Sequence, residues 1–197
     1  MDSGRKGPFM TLIDEYLHAL TETKYTTDPD TYRTLVHDVR QMWDIWNRTE
    51  FGGELQPISV WPTDDTLCIG VDGKRDTKIC GCYIGSLQLI MLDTTANILD
   101  ARSGLGGTLY HHLAETLLHE MIHQWCHERG IVETEKDGTH NLAFRDESRK
   151  HGLIAHIGTA GWNCTHVRKG HWKPFYDLAP RDLAHRMRTS RVPCEDM

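Results

Sequence analysis

The segment TLLHEMIHQW, residues 116–125, carries two histidines four positions apart, with a glutamate directly after the first. Residues four apart on an α-helix lie one above the other on the same face. His119 and His123 can therefore offer their imidazole nitrogens to one zinc ion, at Zn–N distances of about 2.0–2.1 Å. Glu120 flanks that face and is placed to reach a water molecule at the metal. The segment predicts a helix that holds two metal ligands and a general base.

The apolar residues around the motif favour a helix that is buried on one side. At helical spacing they cover a face next to the polar one: Leu113, Leu117, Leu118, Met121, Ile122 and Trp125. A glutamate among core residues is rarely buried unless it is paired, and a metal with its water would provide the partner for Glu120. We predict a helix from about residue 108 to 128, ended by Gly130.

A catalytic zinc site needs a third protein ligand and an open fourth position. His127 continues the spacing, but eight residues of helix place it about 12 Å from His119 along the axis, too far to share one ion. His140 is the favoured third ligand, because it follows a short polar loop and precedes an apolar LAF segment that could dock the next helix on the first. The weaker candidates for this ligand are His151, His156, His166 and His171.

Apolar periodicity elsewhere in the chain predicts helices and short strands. Helices are expected at 10–21, from about 31 to 48, from about 140 to 150 and at 181–188, and strands at 57–62, 66–71, 78–85 and 87–92. The strands suggest a small, mostly antiparallel sheet, so we predict one α+β domain.

The composition argues against a membrane protein and against a disulfide scaffold. No stretch approaches the 18 apolar residues of a transmembrane helix, and no apolar segment typical of a secretory signal follows the N-terminal MDSGRKGPFM. Six cysteines in 197 residues are interpreted as reduced thiols of a cytoplasmic protein, with Cys80 and Cys82 as small buried hydrophobic residues.

The charge is distributed unevenly along the chain. Residues 1–144 carry 12 Lys/Arg and 22 Asp/Glu, whereas residues 145–197 carry 10 and 6. The segment VRKGHWKPFY, residues 167–176, mixes basic and aromatic side chains that could bind single-stranded DNA. Packing of its aromatic residues on the domain is the favoured interpretation, and the acidic remainder argues against DNA binding by the whole surface.

Five segments, in this order, resemble motifs of the SprT-like metalloproteases. FGGEL (51–55) is similar to that family's FGG-x-L segment, and ICGCYI (79–84) with LQLIML (87–92) resembles its next two strands. TLLHEMIHQW resembles its zinc helix, and DGTHNLAF (137–144) its third-ligand motif. The resemblance covers roughly residues 35–155.

The resemblance implies a zincin-like fold, in which a small mixed or antiparallel sheet packs on the H-E-x-x-H helix beside N-terminal helices. We divide the chain into an N-terminal helical extension (1–30), a SprT-like domain (31–158) and a basic, aromatic tail (159–197) that packs on or flanks the domain.

The resemblance also implies that His119, His123 and His140 bind one catalytic Zn²⁺ and that Glu120 is the base. The implied function is a zinc-dependent endopeptidase acting on protein or peptide substrates, with DNA-bound or DNA-crosslinked proteins as candidates. The substrate would lie along the edge provided by LQLIML or by a strand beside it.

Two other functions stay open. The first is a non-catalytic zinc-containing module that binds protein or nucleic acid, although Glu120 favours the enzyme because a structural site needs no base. The second is zinc chemistry on a non-peptide substrate.

The chain also departs from the family in two places. Asn141 stands where a glycine is usual, and the tail lacks the C-terminal four-cysteine zinc ribbon, having only Cys164 and Cys194. A second metal site from Cys164, His166 and His171 would be incomplete in ligand number and spacing.

Overall fold

Helices and two small sheets alternate along the chain in the computed structural model, which describes residues 29–63, 80–94, 109–158 and 161–189. The predicted helix at 10–21 and the predicted strand at 66–71 lie outside these ranges. The elements confirm a mixture of helices with small sheets, as expected for an α+β protein. Within the described ranges, none of the helices has both the length and the apolar character needed to cross a lipid bilayer.

Helix α1 (Pro29–Glu50) begins and ends within two residues of the predicted helix. Its apolar face is buried in the core at helical spacing, and includes Val39, Met42, Trp43 and Trp46. Gly52 and Gly53 follow with φ of 64° and 79°, and the amide of Gly53 donates to the carbonyl of Asn47 over 2.8 Å. Left-handed glycines of this kind end helices because they turn the chain away while satisfying the last carbonyls.

The first sheet contains β1 (Ser59–Thr63), β2 (Gly81–Ile84) and β3 (Leu89–Asp93) in the order β1-β3-β2. Strand β3 is buried along its whole length and pairs in parallel with β1 and antiparallel with β2. The pairing of these strands is therefore mixed, which agrees with the mixed alternative of the expected sheet and departs from the mostly antiparallel sheet that the strand pattern alone suggested. The local sequence pattern carries no information on the direction in which a distant strand pairs.

Helix α2 (Leu109–Arg129) carries the H-E-x-x-H motif and packs against strands β2 and β3 and against helix α1. The predicted apolar face is confirmed, except that Trp125 is only half-buried, and two tryptophans of α1 fix the helix through hydrogen bonds. The indole of Trp46 donates to the carbonyl of Ala114 over 2.9 Å, and the indole of Trp43 donates to Gln124 over 3.2 Å. These two hydrogen bonds attach the motif helix to α1.

Helix α3 (Leu142–Lys150) begins two residues later than predicted. The Asn141 side chain accepts hydrogen bonds from the amides of Ala143 and Phe144, over 2.8 and 3.3 Å, and so caps the helix at its start. His140 therefore lies before the helix, in the loop that follows α2, where it forms an isolated β-bridge with Thr134.

A second sheet, absent from the sequence prediction, is formed by β4 (Leu153–Gly158) and β5 (Gly161–Val167). The predicted boundary at 158/159 lies within this hairpin. Leu153 and Ala155 are buried while Ile154 and His156 are exposed, so the strand does alternate. The exposed Ile154 and Ile157 are themselves apolar, so the sequence shows no apolar–polar alternation that would predict a strand.

Two helices complete the described chain, α4 (Trp172–Leu178) and α5 (Arg181–Thr189). Phe175 is fully buried and its ring centroid lies 4.5 Å from that of Trp46, with Trp172 at 5.5 Å from the same ring. The guanidinium of Arg186 binds the buried carboxylate of Asp38 through two hydrogen bonds of 2.6 Å. The aromatic residues of 172–176 thus pack on the domain, as the favoured interpretation expected.

Candidate metal centre

Three histidines from two elements meet at one point on the surface of α2. His119 and His123 come from the helix and His140 from the following loop, and their ligand nitrogens all lie within 4.8 Å of one another. The Nε2 atoms of His123 and His140 are 3.0 Å apart. A tetrahedral zinc ion with bonds of about 2.05 Å places two ligand nitrogens about 3.3 Å apart. The three imidazoles can therefore hold a metal ion.

His119, within this cluster, is difficult to protonate, and this property favours metal binding. Burial lowers the pKa of His119 well below its ordinary value, and the neighbouring His123 and His140 lower it further. Metal ions bind the neutral imidazole, so a histidine that resists protonation is ready to bind at neutral pH.

Phe144 forms an apolar wall beneath the three imidazoles. Its ring is fully buried and stacks on His140 with a centroid distance of 3.9 Å and an interplanar angle of 11°. The same ring lies 4.8 Å from His119 and 5.1 Å from His123. The Asn141 cap fixes the first turn of α3 and so places this ring. The wall limits the orientations of the imidazoles and keeps water from that side of the cluster.

Glu120 is buried, with 5% of its surface exposed, between α2 and strand β2. Burial raises the pKa of its carboxyl to about 7, although His123 and a hydrogen bond from the backbone N–H of Tyr83 act in the opposite direction. A Cβ atom on Gly81 would lie only 2.9 Å from Glu120 Oε1, so the glycine permits this close approach. The carboxyl is not part of the metal-binding group and can exchange a proton near neutral pH.

Glu133 contacts the cluster although nothing in the sequence had singled it out. The Nδ1–H of His123 points at Glu133 Oε1 over 3.2 Å. Burial would raise the pKa of the Glu133 carboxyl, but hydrogen bonds from His123 and from the Glu133 backbone N–H, together with the charges of His123 and His140, outweigh it, and the pKa is lowered. The sequence feature that could have indicated Glu133 is its position in the loop between His123 and His140, because a glutamate in that loop can reach either ligand.

The other histidines that were considered as ligands have different partners. His127 binds the hydroxyl of Tyr83 through Nδ1 over 2.8 Å. Two of the remaining candidates donate hydrogen bonds to Glu50: His151 Nδ1–H to its carbonyl over 2.7 Å, and His171 Nδ1–H to its Oε2 over 2.8 Å. The rings of the other two, His156 and His166, lie 5.8 Å apart. Among the side chains that the structure describes, only His119, His123 and His140 form a group able to hold a metal.

The cysteines near the site are less buried than predicted. Cys80 and Cys82 are half-buried, because β2 lies at the edge of the first sheet within the described residues. Burial, together with the negative charge of Glu120, raises the pKa of Cys82 to about 11. This thiol therefore stays protonated and is a poor metal ligand at neutral pH.

Comparison with known proteins does not identify a function for this chain. No protein-family model, no curated protein and no solved structure matches this chain.

Proposed function

We propose that the protein is a zinc-dependent endopeptidase with a zincin-like catalytic domain of the SprT-like kind. The observation that carries this proposal is the meeting of three imidazoles with a separate, buried carboxyl one residue after the first of them. A structural zinc site is closed by four protein ligands, whereas a catalytic site has three and keeps a position open for water or substrate. Three ligands and a general base fit the second kind of site.

The residues of the site divide the chemistry between them. Zinc held by His119, His123 and His140 would act as a Lewis acid and make water nucleophilic at neutral pH. Glu120 accepts the proton of the attacking water and passes it to the leaving amine, because its carboxyl is buried beside the histidine cluster without being one of the metal-binding groups. In the structure, the backbone N–H of Tyr83 donates a hydrogen bond to this carboxyl.

Strand β2 is the proposed binding edge for an extended peptide. The sequence suggested LQLIML or a neighbouring strand for this role, but β3, within LQLIML, is paired on both sides. Strand β2 is that neighbour, and it runs past Glu120 through Gly81 and Tyr83. A peptide that adds a strand there would pass its scissile bond beside the metal cluster.

The proposed substrates include DNA-bound or DNA-crosslinked proteins, on the basis of the motif resemblance. Direct stacking of bases on the tail is the weaker part of this proposal, because Phe175 is buried and Trp172 packs against Trp46. Arg168 and Lys169 are exposed and could contact phosphates.

The decisive experiment measures zinc content and proteolysis together. Wild-type protein and Glu120→Gln are compared on a general protein substrate and on the protein itself, with and without single-stranded DNA. We expect one zinc per chain in both proteins, and cleavage by wild type at least about 100-fold faster than by the variant. Stimulation of this cleavage by DNA would support the DNA-bound substrates.

Other results would favour another function. Zinc in both proteins without cleavage under any condition supports the non-catalytic binding module. Absence of zinc from wild type would contradict the assignment of His119, His123 and His140.

A further inference from the structure

The two ring nitrogens of His123 have different partners. Nε2 lies 3.0 Å from His140 Nε2, inside the metal-binding group, and Nδ1 lies 3.2 Å from Glu133 Oε1. A carboxylate accepts hydrogen bonds and does not donate them, so the proton of the neutral imidazole belongs on Nδ1. The lone pair of Nε2 is then directed into the cluster.

The same glutamate also fixes the loop that bears the third ligand. The amide of Asn141 donates to the backbone carbonyl of Glu133 over 2.9 Å, and Asn141 directly follows His140. Glu133 thus contacts His123 through its side chain and Asn141, the residue after His140, through its backbone carbonyl. The His123 and Glu133 side chains are 15% and 18% exposed, so solvent competes only weakly for their hydrogen bond.

We propose that Glu133 is a positioning residue, which holds His123 in the Nδ1–H tautomer and directs its Nε2 toward the metal. This inference deepens the proposed function and rests on its metal site. Carboxylates that accept from the outer nitrogen of a ligating histidine fix its orientation and raise its basicity, and their loss commonly weakens metal binding by 10–100-fold.

The test measures Zn²⁺ affinity by competition with a chromophoric chelator in wild type, Glu133→Gln, Glu133→Ala and Glu135→Gln. Glu135 is an exposed residue of the same loop, so its variant controls for the loss of one negative charge. We expect affinity to fall about 10–100-fold for Glu133→Ala. A smaller loss is expected for Glu133→Gln, whose amide oxygen still accepts from Nδ1–H. Affinity should be unchanged in the Glu135 variant.

A second readout reports the tautomer directly. Long-range ¹H–¹⁵N correlation spectra of the zinc-loaded wild type should show His123 with a proton on Nδ1 and zinc on Nε2. Wild-type affinity in Glu133→Ala, or zinc on Nδ1 of His123, would overturn the inference, as would a wild type that binds no zinc. A wild type that binds zinc without cleaving peptides, with affinity lost in Glu133→Ala, contradicts the peptidase and supports the role of Glu133.

Discussion

Gly81 lies so close to Glu120 that a side chain at position 81 would occupy the space of the Glu120 carboxyl. An added Cβ would be 2.9 Å from Glu120 Oε1 and 2.7 Å from Thr116 Cγ2. The smallest residue of β2 thus allows the strand to run directly against the motif helix. The proposed base, Glu120, and the proposed substrate-binding strand, β2, are therefore in direct contact.

Substitution of this glycine should therefore damage both stability and activity. We expect Gly81→Ala to lower the free energy of unfolding by about 1–3 kcal/mol, because neither Thr116 nor Glu120 can move away freely. Peptidase activity should fall as well, since the carboxyl is displaced. Urea unfolding and cleavage rates measure the two effects. Gly170→Ala, where an added Cβ meets nothing within 4 Å, is the matched control and should resemble wild type.

Removal of the aromatic wall should weaken metal binding together with the fold. Phe144→Ala deletes a fully buried ring that stacks on His140, and we expect a loss of about 3–5 kcal/mol in the free energy of unfolding. Zinc affinity should fall in the milder variant Phe144→Leu, which fills most of the space but cannot stack. Leu142→Ala changes a 56% exposed residue of the same helix and should alter neither quantity. Wild-type zinc affinity in Phe144→Leu would contradict the proposed role of stacking.

The ion pair between Asp38 and Arg186 should stabilise the packing of α5 against α1. Asp38 is fully buried, so Arg186→Leu leaves a buried carboxylate without its cation and should cost about 3–5 kcal/mol. Arg188→Leu, an exposed change on the same helix, should cost less than about 1 kcal/mol. Chemical denaturation measures both variants. Equal stabilities for the two would show that the pair contributes little.

Acidification should destabilise the zinc-free protein partly through His151. Burial lowers the pKa of His151, so the unfolded chain takes up this proton at higher pH than the folded protein does. Stability from this group is thus present above the unfolded pKa of about 6.5 and is lost as pH falls below it. The loss at pH 5.5 is at most about 1.4 kcal/mol.

Urea unfolding with a chelator at pH 7.5 and pH 5.5 measures this loss. His151→Gln should show a smaller difference between the two pH values than wild type, whereas His185→Gln, at an exposed position, should show the same difference. An unchanged pH dependence in His151→Gln would exclude the contribution of this histidine.

Local patterns predicted the long helices well and the sheets less well. The helical spacing around His119, and the glycines that follow each long helix, depend only on neighbouring residues, so the limits of α1 and α2 fell within two residues of the prediction. The parallel pairing of β1 with β3 and the β4–β5 hairpin depend on contacts between distant or weakly patterned segments. Such pairing is decided by the global packing, which a local pattern does not contain.

By itself, the sequence determined that two histidines and a glutamate share a helix, because a helical repeat places residues four apart on one face. It also favoured His140 over the later histidines through its loop and the apolar segment after it. Only the tertiary structure decided that His151 and His171 are engaged by Glu50, that Glu133 turns toward His123, and that β2 lies against Glu120. These relationships join residues from separate elements, and the packing of those elements on one core sets the distances between them.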